Sequence, residues 1–155
     1  MTPFGYEAAL AAYSHPECAR WRLRLLAYVR ANRDHALLSL AVLPGVRATY
    51  TEASYLLWLD VSGALPDGLL RATAAAAGAG AELPPGATAG RTGTTYATAA
   101  ELLLAHGVAL SDGATFGATS GHVRLNLGCT RETLDRGLQR IHAALALAAA
   151  DPAQV

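Results

Sequence analysis

The sequence predicts an α/β chain of the α+β type: a small mixed or antiparallel sheet with helices over one face, preceded by a long N-terminal helix. Three observations carry this. Residues 16–40 hold apolar side chains at helical spacing before Pro44-Gly45 stops the run. Residues 52–61 and 122–128 are short, rich in aliphatic residues and bounded by turn chemistry, as strands are. Leu134, Leu138, Ile141 and Leu145 fall at i, i+4, i+7 and i+11, one apolar stripe on a closing helix.

Composition limits what the chain does. Its 155 residues fit one domain with its own core, and 52% hydrophobic against 15% charged residues mark a packed chain. Much of the apolar count is alanine, which buries little area, so the core is thinner than the percentage implies. Formal net charge is zero and no like charges are massed. That argues against nucleic acid or an anionic membrane surface as partner. No apolar run nears the roughly 18 residues of a membrane span, and the start has no basic, apolar leader pattern. The expected compartment is the cytoplasm, with Cys18 and Cys129 as free thiols.

Along the chain, residues 6–13 read as a short helix. Ser14 and Glu17 have capping-box spacing for the long helix, with Pro16 in its first turn. Trp21, Leu25, Tyr28, Ala36 and Leu40 form its apolar side, interrupted by Asn32. The strand at 52–61 is apolar enough to be covered on both faces. Residues 62–95 read as a flexible Ala/Gly/Pro-rich insertion, with a helix possible at 68–78 and turn chemistry at 78–93. Thr98 and Glu101 repeat the capping-box spacing for a helix to His106, ended by Gly107. A strand at 108–111, a loop, and a strand at 122–128 follow, and Thr130 caps the closing helix. The division expected is 1–45, helical, and 46–150, a small C-terminal domain.

One segment carries chemistry. Side chains alternate along a strand, so in 122–127 Val123, Leu125 and Leu127 point to the core and His122, Arg124 and Asn126 the other way. Arginine's planar fork suits bidentate capture of a carboxylate; a solvated edge face is the plainer alternative. The five histidines lack pairwise metal spacing, so no metal is expected, and Ser111-Asp112 forms no credible triad.

Gly107-Val-Ala-Leu-Ser-Asp-Gly-Ala-Thr-Phe-Gly117, followed by His122-Val-Arg-Leu-Asn126, resembles the class I/II aminotransferase superfamily of pyridoxal-phosphate enzymes (fold type I), closest to its cysteine-S-conjugate and cystathionine β-lyase branch. Tyr6–Tyr13, Leu26–Asp34 and Glu52–Asp60 resemble further blocks of that family in the same order. The resemblance implies the small C-terminal domain of such an enzyme, with Tyr6–Tyr13 following the point where the cofactor domain ends. It implies that Arg124 binds a substrate α-carboxylate and that Phe116 and Gly117 line the substrate entrance. Asn126 either supports Arg124 or satisfies nearby backbone, and Tyr55 and Trp58 are expected to be structural core.

The substrates implied are amino acids such as S-substituted cysteines or cystathionine, with lyase and transfer chemistry both open. Such enzymes hold pyridoxal phosphate on a lysine, yet the twelve cationic side chains here are all arginine. The chain therefore lacks catalytic and cofactor-binding residues of its own and is expected to be inactive alone. The partners implied are a separate lysine-bearing cofactor-domain chain and a homodimer. The alternative is a non-catalytic remnant, or a small interaction or carboxylate-binding module.

Overall fold

Thr2 accepts a hydrogen bond from the Gly5 N–H and opens helix α1 (Pro3–Ser14). Pro3 begins the helix because a first-turn residue needs no N–H partner, so α1 starts before the expected residue 6. The computed structural model describes residues 2–67, 69–70 and 96–150. His15 separates α1 from α2 (Pro16–Ala41) and caps the latter, its Nδ1 accepting from the Glu17 N–H at 3.2 Å. Ser14, the cap expected from spacing, instead donates its hydroxyl to the Leu10 carbonyl. An imidazole one residue nearer the helix takes the donor first.

The packing of α2 changes along its length. Only Asn32, Ala36 and Leu40 are buried. Trp21, Leu25 and Tyr28, expected on the same stripe, are 58, 41 and 44% exposed. Asn32 is no interruption but the centre of the contact. Its amide donates to the carbonyls of Leu127 at 2.9 Å and Cys129 at 3.0 Å, fastening α2 to the end of the last strand.

Strands β1 (Arg47–Ala48), β2 (Leu56–Asp60), β3 (Ser111–Asp112) and β4 (His122–Asn126) form one antiparallel sheet in the order β1-β2-β4-β3. β2 is shorter than the expected 52–61, and its burial alternates, Leu57 and Leu59 inward, so its other face is left uncovered by the helices among the described residues. β3 begins at Ser111 rather than 108, because the Val108 N–H returns to the Leu103 carbonyl and finishes a helix turn. β4 ends at Asn126, although the Leu127 N–H still reaches the Tyr55 carbonyl at 2.7 Å.

Helix α3 (Ala99–Ala105) starts as its spacing predicts. Thr98 Oγ1 accepts from the Glu101 N–H at 3.3 Å, and Glu101 reaches back to the Ala97 N–H at 2.8 Å. Gly107 follows with φ of 79°. Thr130 Oγ1 accepts from the Thr133 N–H at the start of α4 (Arg131–Ala150). The stripe Leu134, Leu138, Ile141 and Leu145 is buried, extended by Ala144 and Ala148.

These side chains join Leu57, Leu59, Val123 and Leu125 of the sheet, Leu102 and Leu103 of α3, and Ala36 and Leu40 of α2 in one core. Helices thus cover one sheet face. After β2, a short 3-10 turn (Ser62–Ala64) touches Gly45, whose φ is 76°. A Cβ there would lie 2.0 Å from the Gly63 oxygen, so the crossing requires glycine. Leu70 bridges Tyr96 in parallel. The helix considered at 68–78 falls almost wholly outside the described residues, as does the turn-rich stretch at 78–93.

Candidate functional site

The sheet face away from the helices holds the candidate residues. On it Trp58 of β2 stands opposite Arg124 of β4, Asp60 stands opposite His122, and Ser111 of β3 flanks Arg124 on its other side. Arg124 is half-buried. Its Nη2 donates to Ser111 Oγ at 3.3 Å, and its guanidinium carbon lies 4.3 Å from the centre of the Phe116 ring. Its Nε is buried and has no hydrogen-bond partner among the described residues. A buried charged donor left unpaired is costly, and a two-oxygen carboxylate is its natural complement.

Phe116 arrives there through a tight 3-10 turn (Gly113–Phe116). Asp112 caps that turn, accepting from the Ala114 N–H at 2.9 Å, and Gly117 closes it at φ 82°. Gly113 is pressed against β4, since a Cβ there would meet the His122 oxygen at 2.5 Å. The turn therefore holds Phe116 against the strand that presents Arg124. A Cβ on Gly117 would meet nothing within 4 Å, so the space beside it is open among the described residues.

Asn126 lies two residues beyond Arg124 on the same face. Its Oδ1 accepts from the Gly128 N–H at 2.8 Å, and it makes no hydrogen bond to Arg124. Of the two roles open from sequence, it takes the backbone one. Trp58, expected as core, is half-buried on the Arg124 face; its ring meets Phe116 edge-on at 6.0 Å. Tyr55, also expected as core, is 52% exposed. His122 is the residue that sequence reasoning passed over as a candidate, although the same alternation that exposed Arg124 puts it on this face. Its ring is 5.9 Å from Trp58, and Nδ1 is hydrogen-bonded to Thr119 Oγ1 at 2.8 Å.

Asp60 closes the row. Burial pushes its carboxyl up, but hydrogen bonds from the Ser62 hydroxyl and N–H, the nearby His122 and the Arg47 guanidinium outweigh this, holding it below 3.8. In that window the unfolded chain binds more protons than the folded one, so Asp60 stabilises the fold above 3.8 and the gain is lost as pH falls through its depressed value. Thermal unfolding across acidic pH is expected to show this, with Asp60→Asn removing that part of the acid sensitivity.

A second polar cluster joins α2 to α4. His35 Nε2 and Asp135 Oδ1 are 2.6 Å apart, and Ser39 Oγ and His142 Nε2 3.1 Å, in a cleft of about 420 Å³. Among the described residues no three His, Cys, Asp or Glu side chains gather as metal ligands.

No family model matches the chain. Cystathionine β-lyase PatB of Bacillus subtilis (strain 168) is 32% identical over 147 residues, 94% of this chain and 30% of that protein. Cystathionine β-lyase of Corynebacterium glutamicum is 32% identical over 118 residues, 76% of this chain and 24% of its own length. The fold matches the PLP-bound C-S lyase of Staphylococcus hominis at a TM-score of 0.69 and 24% identity, over 94% of this chain and 32% of the lyase. The chain thus spans less than a third of the length of each. Over most of its own length the chain is homologous to a part of the fold-type I pyridoxal-phosphate enzymes of the aminotransferase superfamily, and its fold is that of their small C-terminal domain.

Proposed function

We propose that the chain is the substrate-binding part of a pyridoxal-phosphate-dependent carbon–sulfur β-lyase or aminotransferase, in which Arg124 takes the α-carboxylate of an amino acid such as an S-substituted cysteine or cystathionine. One observation carries this reading: Arg124 is held by Phe116 and Ser111 on the sheet face away from the helices, with a buried Nε that has no partner among the described residues. Its setting in a chain 32% identical to two cystathionine β-lyases supports the substrate class.

Pyridoxal phosphate in this family is bound as an imine on a lysine. None of the 155 residues is lysine, so the residues present do not fit the covalent site. A cofactor domain has to supply that lysine and the groups holding the phosphate, and the chain by itself is expected to turn over nothing. The surface has room for such a domain. Helix α1 buries no residue, and Phe4, Tyr13, Trp21 and Leu23 are each more than half exposed on α1 and the first turns of α2. Large apolar side chains left this exposed are what an interaction surface offers. The same exposed residues favour the second reading, an interaction module without catalysis.

Isolation of the native gene product, with intact mass and identification of any co-purifying chain, separates the two. The enzyme reading expects either a mass above that of these 155 residues or a bound lysine-bearing partner. It also expects pyruvate release from cystathionine by that assembly and none from the chain with added cofactor. A solitary chain of this mass overturns it, as does turnover by the chain alone.

A further inference from the structure

We propose that the chain pairs with a second copy of itself through two apolar stripes, Tyr6, Leu10 and Tyr13 on α1 and Trp21, Leu25 and Tyr28 on α2. The α1 of each copy lies antiparallel on the α2 of the other. The proposal does not rest on Arg124, and a cofactor domain that takes the same surface has to displace the second copy.

The two stripes share one spacing. Each sets an aromatic residue, a leucine and an aromatic residue at i, i+4 and i+7, which is one face of a helix. Tyr6, Leu10 and Tyr13 are 58, 49 and 93% exposed, and the three on α2 are exposed as well. On α2 the same face continues into Asn32, Ala36 and Leu40, which are buried. Core packing on that face therefore stops at the turn between Tyr28 and Asn32. There Leu25, Tyr28 and Val29 border an open cleft of about 390 Å³ with Gly128, Cys129 and Thr130.

The exposed area is what a pair of copies needs. The six side chains leave roughly 600–700 Å² in water, taking about 200 Å² for a whole aromatic side chain. That is beyond the apolar patch of about 300–600 Å² found on monomers, and close to the ~800 Å² each partner gives a standard interface. A two-fold axis makes the contact twice and closes the assembly at two.

Charge selects the arrangement. Glu7 is the one charged residue of α1, whereas Arg22, Arg24 and Arg30 on α2 form no ion pair among the described residues. Laying α1 on α2 sets an anion beside these cations. Laying α2 on α2 would set arginines against arginines. In the antiparallel sense Tyr6, Leu10 and Tyr13 meet Tyr28, Leu25 and Trp21 in turn.

Sedimentation equilibrium of the 155-residue chain is expected to show monomer and dimer, with a Kd on the order of 10 µM. Leu10→Glu and Leu25→Glu, one on each stripe and both at exposed positions, are each expected to raise that Kd at least about tenfold. Circular dichroism confirms that both variants keep the fold. Glu7→Arg is expected to weaken the dimer about two- to fivefold, with Arg22→Glu and Arg24→Glu added to it restoring the affinity. The chain has two tryptophans, so Trp58→Phe leaves Trp21 as sole indole, and its emission is expected to shift to the blue as concentration rises. Arg124→Ala is expected to leave the dimer unchanged, which keeps this test separate from that of the carboxylate site.

A monomer through the high-micromolar range overturns the proposal. So does a dimer indifferent to both leucine substitutions, since another surface then forms it. Association that tightens with added salt or with Glu7→Arg overturns the pairing of α1 with α2.

Discussion

Replacing Arg124 by alanine in the enzyme completed by its cofactor domain is expected to lower kcat/KM for an amino-acid substrate by roughly a hundred- to a thousandfold. The argument starts from the donors. Nη2 is committed to Ser111, while Nε is buried with no partner among the described residues, so a carboxylate supplies the missing acceptor. Alanine removes the charge, both donors and the group stacked on Phe116. Arg124→Lys is expected to recover little, because an ammonium is a point charge without the planar fork. Steady-state kinetics with circular dichroism as the fold control checks this. A variant within threefold of wild type would remove Arg124 from substrate binding.

Substitution of Asn32 by leucine is expected to be the most damaging change of similar volume, lowering unfolding free energy by about 2–3 kcal/mol. Asn32 is fully buried in the middle of α2, and its amide donates to two carbonyls at the junction of β4 and α4. Leucine leaves both acceptors without those donors, each at a cost of about 1–3 kcal/mol. Part of this is offset, since Asn32 Oδ1 is itself buried and unpaired among the described residues and leucine removes it. Urea unfolding measures the difference. A midpoint unchanged at constant m-value would mean the junction satisfies its carbonyls another way.

Two helix starts governed by a side-chain oxygen were legible in the sequence, whereas the Thr2 cap of α1 was not foreseen and the expected Ser14 cap of α2 gave way to His15. Thr98 with Glu101, and Thr130 before α4, are local devices that need only their neighbours. So was the stripe of α4, whose four spaced residues are all buried. Strand ends were not, because pairing partners far along the chain decide them. β1 exists only through Arg47 and Ala48 meeting Asp60 and Leu59, and β3 only through two residues opposite β4. Alternation along β4 put Arg124 on the uncovered face from sequence alone. What surrounds it required the fold: Phe116 is brought by a turn that Gly113 presses onto β4, and Trp58 by the register of β2. Asn32 misled for the same reason, since its two acceptors lie 95 and 97 residues away.

The outer strands of the sheet, β1 and β3, are two residues each. Edge-to-edge recruitment of another chain needs a row of free backbone N–H and C=O groups long enough to zip. Two residues offer almost none, and β1 sets an exposed, charged Arg47 at its margin. The sheet is therefore a poor template for strand addition or for amyloid-like stacking. Contact with a further chain is left to side-chain surfaces, where shape and chemistry discriminate between partners as backbone ladders cannot.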